Sequence, residues 1–402
     1  MKKRWDLAAL ASIPFIMTLA NSMLIPVLPL LQKKLNISAV QSSLIITVYA
    51  AISIVCIPIA GYLSDRFGRK MIILTGLSIA AIGGLIAGLA TWFMDSQVYP
   101  VILAGRFIQG IGAAGAFPIV IPLVGDMFDS EEDVSSGLGM IETANTLGKV
   151  ISPVLGAALA LVVWFLPLVI IPVISLISIA GVLFLVKAPK QKQAKENGLK
   201  QFFKLIQTIL AEKGRWLYAV FAIGCLAMFI MFGFLYFLSS ILEERYHIDG
   251  IKKGLLLAIP LSAICLASFL AGKLLGKSKT RMKWFIVIGT AVLALMMFLC
   301  GIINTQKLFL FVLFMFASGA GIGLALPSLD ALITEGIEKQ ERGTITSLYS
   351  SARFIGVAVG PLIASMLLQK EDLLFYLFAG FGLICTVLAL LAIKPGTEHS
   401  TT

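Results

Sequence analysis

The chain has 402 residues, of which 59% are hydrophobic and 13% charged, and its mean hydropathy is +0.98. A composition this apolar excludes a soluble globular protein and predicts a chain that crosses a membrane many times. The net charge of +11 does not indicate nucleic-acid binding, because the basic residues are scattered between apolar runs and attraction to anionic lipid explains them better.

The cysteines and the absence of catalytic motifs from the sequence narrow the functional class further. All five cysteines lie inside apolar runs, and the sequence has no CxxC pair and no Cys/His cluster. This pattern predicts neither disulfides nor a metal site. Because no nucleophile motif occurs either, we expect a protein that is not an enzyme and needs no cofactor.

Twelve apolar runs reach the length of about 18 residues that a membrane crossing requires. The predicted fold is therefore all-α and integral to the membrane. If both termini are cytoplasmic, that side holds 22 of the 32 Lys and Arg residues and the other side holds seven. By the positive-inside rule we expect cytoplasmic termini and a plasma-membrane location. The predicted spans are 6–31, 39–63, 71–92, 98–125, 135–161, 165–187, 216–241, 251–275, 284–303, 308–333, 344–368 and 373–394.

A polar stretch from Gly61 to Lys70 separates spans 2 and 3. An ionised side chain at the bilayer centre costs at least about 2.5 kcal/mol, so these charges predict a short surface loop in which two glycines make the reversal. The pattern G-x-L-x-D-R-x-G-R-K resembles the signature loop of the major facilitator superfamily, the alternative being an ordinary basic loop. The resemblance implies two six-helix bundles and a cytoplasmic gate formed by Gly61, Asp65, Arg69 and Asp126.

Span 4 carries an arginine, Arg106, inside the segment Leu103–Ala114. A guanidinium at this depth must be paired or hydrated, unless it snorkels to the surface. The segment resembles that of the drug:proton antiporters, in which this Arg helps proton transfer, often with an acid on helix 1. Span 1 has Asn21 instead and no acid beyond Asp6. We expect Arg106 to take part in proton coupling, and Asn21 and Gln109 to line a substrate cavity.

The second part of span 5 contains Gly148, Ser152, Pro153 and Gly156 in the spacing G-x-x-x-S-P-x-x-G. This is similar to the helix 5 motif of antiporters, with Ser152 in place of a glycine. Small residues four apart also form a face that admits close helix contact. An antiporter motif and simple packing therefore both explain the pattern.

Two charged residues, Glu142 and Lys149, lie two helical turns apart on one face of span 5, with Asn145 between them. Glu142 is the only acid well inside a predicted span, since the others lie near predicted span ends. We expect Glu142 to carry protons and to be electrostatically coupled to Arg106, and Asn145 and Lys149 to line the cavity. The rival interpretation is a static ion pair of Glu142 with Lys149 or Arg106.

A long polar connection, 188–215, divides the chain into 1–187 and 216–402, each with six spans. The two parts repeat each other, since Gly110–Pro118 matches Gly319–Pro327. Two six-span bundles in the same orientation predict a parallel repeat with a substrate cavity between them near the membrane midplane.

The second part of the chain contributes further candidate site residues. Span 11 carries a third buried cation, Arg353, which either meets an anionic substrate or pairs with Asp330, a further candidate for proton coupling. Span 7 contributes Met228, Phe232 and Tyr236, whose adaptable or aromatic side chains suit a permissive pocket. Packing toward lipid explains such a span equally well.

These features resemble a twelve-helix exporter of the drug:proton antiporter type. The resemblance implies a monomer that exports a small amphipathic molecule in exchange for protons by alternating access, with lipids as its surroundings. A facilitator without proton coupling and a dedicated metabolite or siderophore exporter are alternatives with the same fold. A non-transporting membrane sensor is the alternative from another class. The fold alone does not determine the substrate.

Overall fold

The computed structural model describes residues 4–128, 131–187, 207–208, 214–276, 278–303, 307–337 and 339–394. Within these ranges the chain is almost entirely helical and contains no strand. Twelve helices are long and apolar enough to cross a membrane. The prediction of an all-α membrane protein is therefore confirmed. Most of the predicted linker 188–215 lies outside the described residues.

Span 1 consists of a helix Arg4–Ser22, a 3-10 turn Ile25–Val27 and a second helix Leu28–Leu35. Pro26 and Pro29, which lack a backbone N–H, lie at this interruption. Each of the other spans is a single helix. In chain order, spans 2 to 12 are Ala39–Phe67, Arg69–Phe93, Val98–Met127, Glu131–Val162, Leu166–Leu185, Arg215–Glu244, Gly250–Leu275, Lys279–Ile303, Leu308–Gly336, Lys339–Met366 and Glu371–Ala392.

The turn between spans 2 and 3 is shorter than predicted. Span 2 remains helical to Phe67 and span 3 begins at Arg69, so Gly68 alone makes the reversal. Gly68 has a φ of 98°, which glycine adopts without steric penalty. Gly61 is helical instead, and a Cβ atom on it would lie 3.1 Å from the Ser347 hydroxyl of span 11. The prediction that both glycines form the reversal is therefore wrong, and Gly61 serves helix packing.

The first half (spans 1–6) and the second half (spans 7–12) pack their helices in the same pairs. Span 1 packs against span 5, span 2 against span 4, and span 3 against spans 4 and 6. In the second half, span 7 packs against span 11, span 8 against span 10, and span 9 against spans 10 and 12. Span 2 contacts span 11 and span 5 contacts span 8 across the halves. The predicted fold of two repeated six-helix bundles is confirmed.

Close helix approaches repeat as well. A Cβ atom on Gly110 would lie 2.4 Å from the carbonyl oxygen of Tyr49, and one on Gly319 would lie 2.3 Å from that of Pro260. Both distances are shorter than any real Cβ contact, so spans 4 and 10 need glycine at these aligned positions. The glycines that repeat in the sequence are therefore needed for helix packing in each half.

A lysine also binds the end of the last helix in each half. Lys70 donates hydrogen bonds to the carbonyl oxygens of Leu183 and Val186 at 3.0 and 2.7 Å, and Lys283 donates to that of Leu390 at 2.9 Å. A cation is favourable at a helix C-terminus. We call the face where spans 6 and 12 end the terminal face, and the opposite one the distal face.

Candidate functional site

A cavity of about 340 Å³ lies between the two halves, and we call it the central cavity. Its volume is within the range of small-molecule sites. It extends from the middle of the bundle, near Asn21, toward the terminal face, where Leu138, Thr334 and Arg342 line it. Both halves form its walls, so a molecule bound there would contact both.

Span 5 places Glu142, Asn145 and Lys149 in the wall of the first half. The side-chain amide of Asn145 donates to both carboxylate oxygens of Glu142 at 3.2 Å, and Thr18 donates to the amide oxygen of Asn145 at 2.6 Å. The Thr146 hydroxyl lies 3.4 Å from Glu142 Oε1. Neutral donors therefore hold the Glu142 carboxylate, which is exposed to the cavity.

The wall of the second half carries Asp330 and Arg353. Arg353 Nη1 lies 3.5 Å from Asp330 Oδ1, with side-chain exposures of 19% and 44%. The Arg353 guanidinium also lies 5.5 Å from the centre of the Tyr349 ring, a cation–π distance. The expected pairing of Arg353 with Asp330 is thus present as one long contact. Asp330 was expected near a span end, but it lies in the central cavity.

Arg106 is completely buried in the first half, with 0% exposure. Its guanidinium donates to the Ile45 carbonyl oxygen at 2.8 Å, to Asn21 Oδ1 at 2.7 Å and to Gln109 Oε1. It also lies 4.4 Å from the centre of the Tyr49 ring. Neutral oxygens and a ring therefore satisfy this cation, and the snorkelling alternative is excluded. We call these side chains, with Arg106, the span 4 network.

Three residues predicted for the site lie outside the central cavity. Arg106 and Gln109 are not among its lining residues, and Arg106 contacts two residues that are, Asn21 and Tyr49. Tyr236 is 1% exposed, and its hydroxyl donates to the Ala39 carbonyl oxygen at 2.9 Å near the distal face. The predicted cavity positions of Gln109 and Tyr236 are wrong. The Gln109 side chain accepts a hydrogen bond from Arg106 inside the first half, and the Tyr236 side chain bonds to span 2. The structure also brings Arg106 into no contact with the Glu142 carboxylate.

Most of the other predicted residues do line the central cavity, together with rings that sequence reasoning missed. The predicted members that line it are Asn21, Glu142, Asn145, Lys149, Met228, Phe232, Asp330 and Arg353. The missed rings are Tyr49, Phe117, Tyr349 and Phe354. Tyr349 lies one helical turn before Arg353, and this spacing could have revealed it.

The predicted gate residues Asp65, Arg69 and Asp126 meet at the terminal face, and we call them the terminal cluster. Arg69 Nε lies 2.9 Å from Asp126 Oδ2, and Arg69 Nη2 lies 3.6 Å from Asp65 Oδ1. All three residues belong to the first half. The nearby contact of Gly61 with Ser347 connects this region to the second half.

Sequence reasoning missed a second charged group, at the distal face. Glu243 lies 2.7 Å from Lys33 Nζ and 2.6 Å from Lys253 Nζ, and we call these three residues the distal cluster. The side chains of Glu243 and Lys253 are 9% and 3% exposed, whereas that of Lys33 is 63% exposed. Lys33 belongs to the first half and the other two to the second. No sequence pattern pairs residues so far apart along the chain.

Comparison with known proteins identifies the family of this arrangement. The sequence model of the Major Facilitator Superfamily matches residues 10–306 and 254–402. The chain belongs to the Major Facilitator Superfamily. It is 51% identical over 386 residues to the bacillibactin exporter of Bacillus subtilis (strain 168), covering 96% of this chain and 94% of that protein. It is 25% identical over 377 residues to Multidrug resistance protein 2 of the same bacterium, covering 92% and 90%.

Solved structures of Major Facilitator Superfamily transporters share this fold. The human organic anion transporter MFSD10 superposes with a TM-score of 0.75 at 20% identity, covering 97% of this chain and 100% of that one. The D-xylose–proton symporter superposes with a TM-score of 0.78 at 14% identity, covering 98% and 99%. Because its family model and its 51% identical relative are those of transporters, the chain is a multi-pass membrane transporter for small molecules and not an enzyme.

The span 5 motif of this superfamily member lies at helix contacts. Cβ atoms on Gly148 and Gly156 would lie 2.9 and 2.0 Å from backbone oxygens of span 1, and one on Gly254 of span 8 would lie 2.7 Å from the Pro153 carbonyl oxygen. The Ser152 hydroxyl is buried and donates to a backbone oxygen one turn earlier. Packing of span 5 against span 1 therefore accounts for Gly148 and Gly156.

Proposed function

We propose that this chain exports a siderophore in exchange for protons. The observation that carries the proposal is its 51% identity to the bacillibactin exporter of Bacillus subtilis over 96% of the chain. The match extends over almost the whole length of both chains, which is compatible with an unchanged cargo class. The sequence predicted export of a small amphipathic molecule, with a dedicated siderophore exporter as an alternative, and the proposal adopts that alternative.

The chemistry of the central cavity supports an anionic cargo that contains aromatic groups. Lys149 and Arg353 supply cations from opposite halves, and Arg342 adds a third toward the terminal face. The rings of Tyr49, Phe117, Tyr349 and Phe354, with Phe232, supply apolar and aromatic surface. A molecule with acidic groups on an aromatic framework matches both features.

Proton coupling is supported by the two carboxyl groups in the same cavity. Glu142 and Asp330 both face the space that a cargo would occupy, beside Lys149 and Arg353. Protonation of a carboxyl in this space changes the net charge that the cargo meets, so protons and cargo can exclude each other. Arg106, which lies outside the cavity, then acts through Asn21 on the shape of the wall.

Alternating access is supported by the contacts between the halves. Hydrogen bonds connect them from the distal face to the middle of the bundle, including Ser43 to Ser365 at 3.1 Å and Ser351 to the Ile54 carbonyl oxygen at 2.8 Å. The central cavity lies on the terminal side of the Ser43–Ser365 contact, and the Ser351–Ile54 contact lies at the level of its lining residues. We infer that the terminal face is cytoplasmic, since it carries most of the Lys and Arg residues, and that a monomer in the plasma membrane loads cargo from there.

Transport in inside-out membrane vesicles tests this function. Bacillibactin is added outside, respiration acidifies the lumen, and uptake is measured by mass spectrometry. We expect accumulation above that of vesicles without the protein, and its loss when a protonophore collapses the proton gradient. Accumulation that survives the protonophore would point to a proton-independent facilitator.

The same vesicles separate this function from multidrug export, which the similarity to Multidrug resistance protein 2 and the aromatic cavity wall support. Ethidium serves as the probe for that function. Uptake of ethidium without uptake of bacillibactin would reject the siderophore proposal in favour of multidrug export. Absence of transport for both, with the protein folded, would leave the sensor interpretation.

A further inference from the structure

Lys149 is an unpaired cation in the wall of the central cavity. Only 9% of its surface is exposed, and Lys149 is among the lining residues. In the part of the chain that the structure describes, no carboxylate lies within 4.0 Å of its Nζ atom. A buried ammonium that no carboxylate contacts is incompletely compensated, so this position favours an anion that enters the cavity.

The acid on the same helix is engaged elsewhere. Thr18 donates to the amide oxygen of Asn145, which turns the amide nitrogen toward Glu142. Asn145 lies between Glu142 and Lys149 along the helix and donates to both carboxylate oxygens. Thr18 thus fixes the orientation of Asn145, and the Glu142 carboxylate is hydrogen-bonded to Asn145 and not to the lysine.

The second half presents a cation that is only weakly paired. Arg353 makes a single contact of 3.5 Å with Asp330, whose side chain is 44% exposed to the cavity. Lys149 and Arg353 line the same cavity from opposite halves, so two like charges face one space. Two cations from opposite halves that repel each other are stabilised by an anion held between them.

We propose that Lys149 is a specificity-determining residue whose ammonium binds an anionic group of the cargo, such as a carboxylate, phenolate or sulfonate, with Arg353 facing the same group from the second half. The inference rests on the proposed export function for the direction of transport, and not for the identity of the cargo. It replaces the static ion pair of Lys149 with Glu142 that the sequence left open.

A matched pair of probes isolates the charge. Purified full-length protein is titrated with 1-naphthoate and with its methyl ester, which differ in charge and share the ring, and binding is measured by thermal stabilisation. We expect wild-type protein to bind naphthoate about tenfold more tightly than the ester, the scale of one charge-assisted hydrogen bond. Lys149→Gln should abolish this ratio and Lys149→Arg should retain most of it. Lys252→Gln, which removes an exposed lysine outside the cavity, is the matched control and should leave the ratio unchanged.

Two results would overturn the inference: equal binding of both probes by wild-type protein, or an unchanged ratio in Lys149→Gln. If Lys149→Gln does not fold, Glu142→Gln decides, because its exposed side chain tolerates substitution. Removing this nearby negative charge should tighten naphthoate binding, and unchanged or weaker binding overturns the inference. Failure to transport bacillibactin with the naphthoate preference intact rejects only the proposed cargo.

Discussion

The interiors of the two halves differ at aligned positions, although their helices pack in the same pairs. In the repeat, Met315 takes the position of Arg106, and Phe232 takes that of Asn21. Arg106 and Met315 are both fully buried at 0% exposure. The second half buries an apolar side chain at this position, so the fold itself does not require an arginine there. The two halves differ here because Asn21, Gln109 and the Ile45 carbonyl oxygen need a donor that the second half does not need.

The walls of the central cavity differ in a second way. Four of its charged residues have neutral partners in the repeat, and the pairs are Glu142 with Ser350, Lys149 with Val357, Asp330 with Ile121, and Arg353 with Asn145. All eight residues line the cavity. Each half thus supplies one acid and one base at positions where the other half is neutral. The symmetric scaffold encloses a site without chemical symmetry, so a cargo meets two different walls.

Giving span 4 the residue that span 10 has at the aligned position, by Arg106→Met, should have the largest effect on stability and transport. Arg106→Met leaves the oxygens of Asn21, Gln109 and Ile45 buried without their donor, at a cost of about 3 kcal/mol or more in the free energy of unfolding. Thermal unfolding of the purified protein measures this, and transport should be lost. Met315→Leu, a volume-conserving change in the second half, is the control and should cost less than about 1.5 kcal/mol. An unfolding temperature equal to that of wild type in Arg106→Met would show that the network contributes nothing to stability.

Neutralising the acid of the first-half wall should have the next largest effect. If Glu142 carries the proton, Glu142→Gln should lower proton-driven transport about 100-fold, the scale of a lost acid–base group, while cargo binding remains. Inside-out vesicles with an imposed pH gradient measure the rate. Glu335→Gln, an exposed acid near the end of span 10, is the control. Transport near the wild-type rate in Glu142→Gln would reject this role and leave Asp330 as the candidate.

Sequence reasoning located the spans, the repeat and the charged residues of the cavity because each leaves a local signal. A run of high hydropathy predicts a span, and a charged residue inside a span predicts polar surroundings for its side chain. The partners of those charges left no such signal. Arg106 was expected to be paired or hydrated, but its partners include a backbone oxygen and the Tyr49 ring, which no composition argument selects.

The sequence also could not predict which way a side chain points from its helix where two helices cross. Met228, Phe232 and Tyr236 share one face of span 7, yet the first two line the cavity while Tyr236 meets span 2. The cavity ends between Phe232 and Tyr236 because the halves close at the distal face. That closure depends on contacts between residues about half the chain apart.

The terminal cluster and the distal cluster lie at opposite ends of the molecule. Arg69→Ala removes the partner of both Asp65 and Asp126, and we expect a shift of about 1 to 3 kcal/mol toward states open at the terminal face. A cysteine placed in the central cavity, in a background without the five native cysteines, reports the shift through its labelling rate with a membrane-impermeant thiol reagent. Arg66→Ala, a neighbouring exposed arginine, is the control. Unchanged labelling in Arg69→Ala and in Asp126→Asn would make the cluster a topological anchor only.

The smallest effect is expected at the distal cluster. Lys33 is the only one of its three residues contributed by the first half, so opening of the distal face must break its contact with Glu243. Lys253 lies in the same half as Glu243 and stays with it, so this buried carboxylate keeps a partner in either state. Lys33 is also largely exposed, and an exposed ion pair contributes less than about 1 kcal/mol. Lys33→Ala should therefore raise labelling of a cavity cysteine from the distal side only a few-fold, against no change in Lys34→Ala. A shift as large as that of Arg69→Ala would mean that Lys33 is the main lock between the halves and that Lys253 does not compensate for its loss.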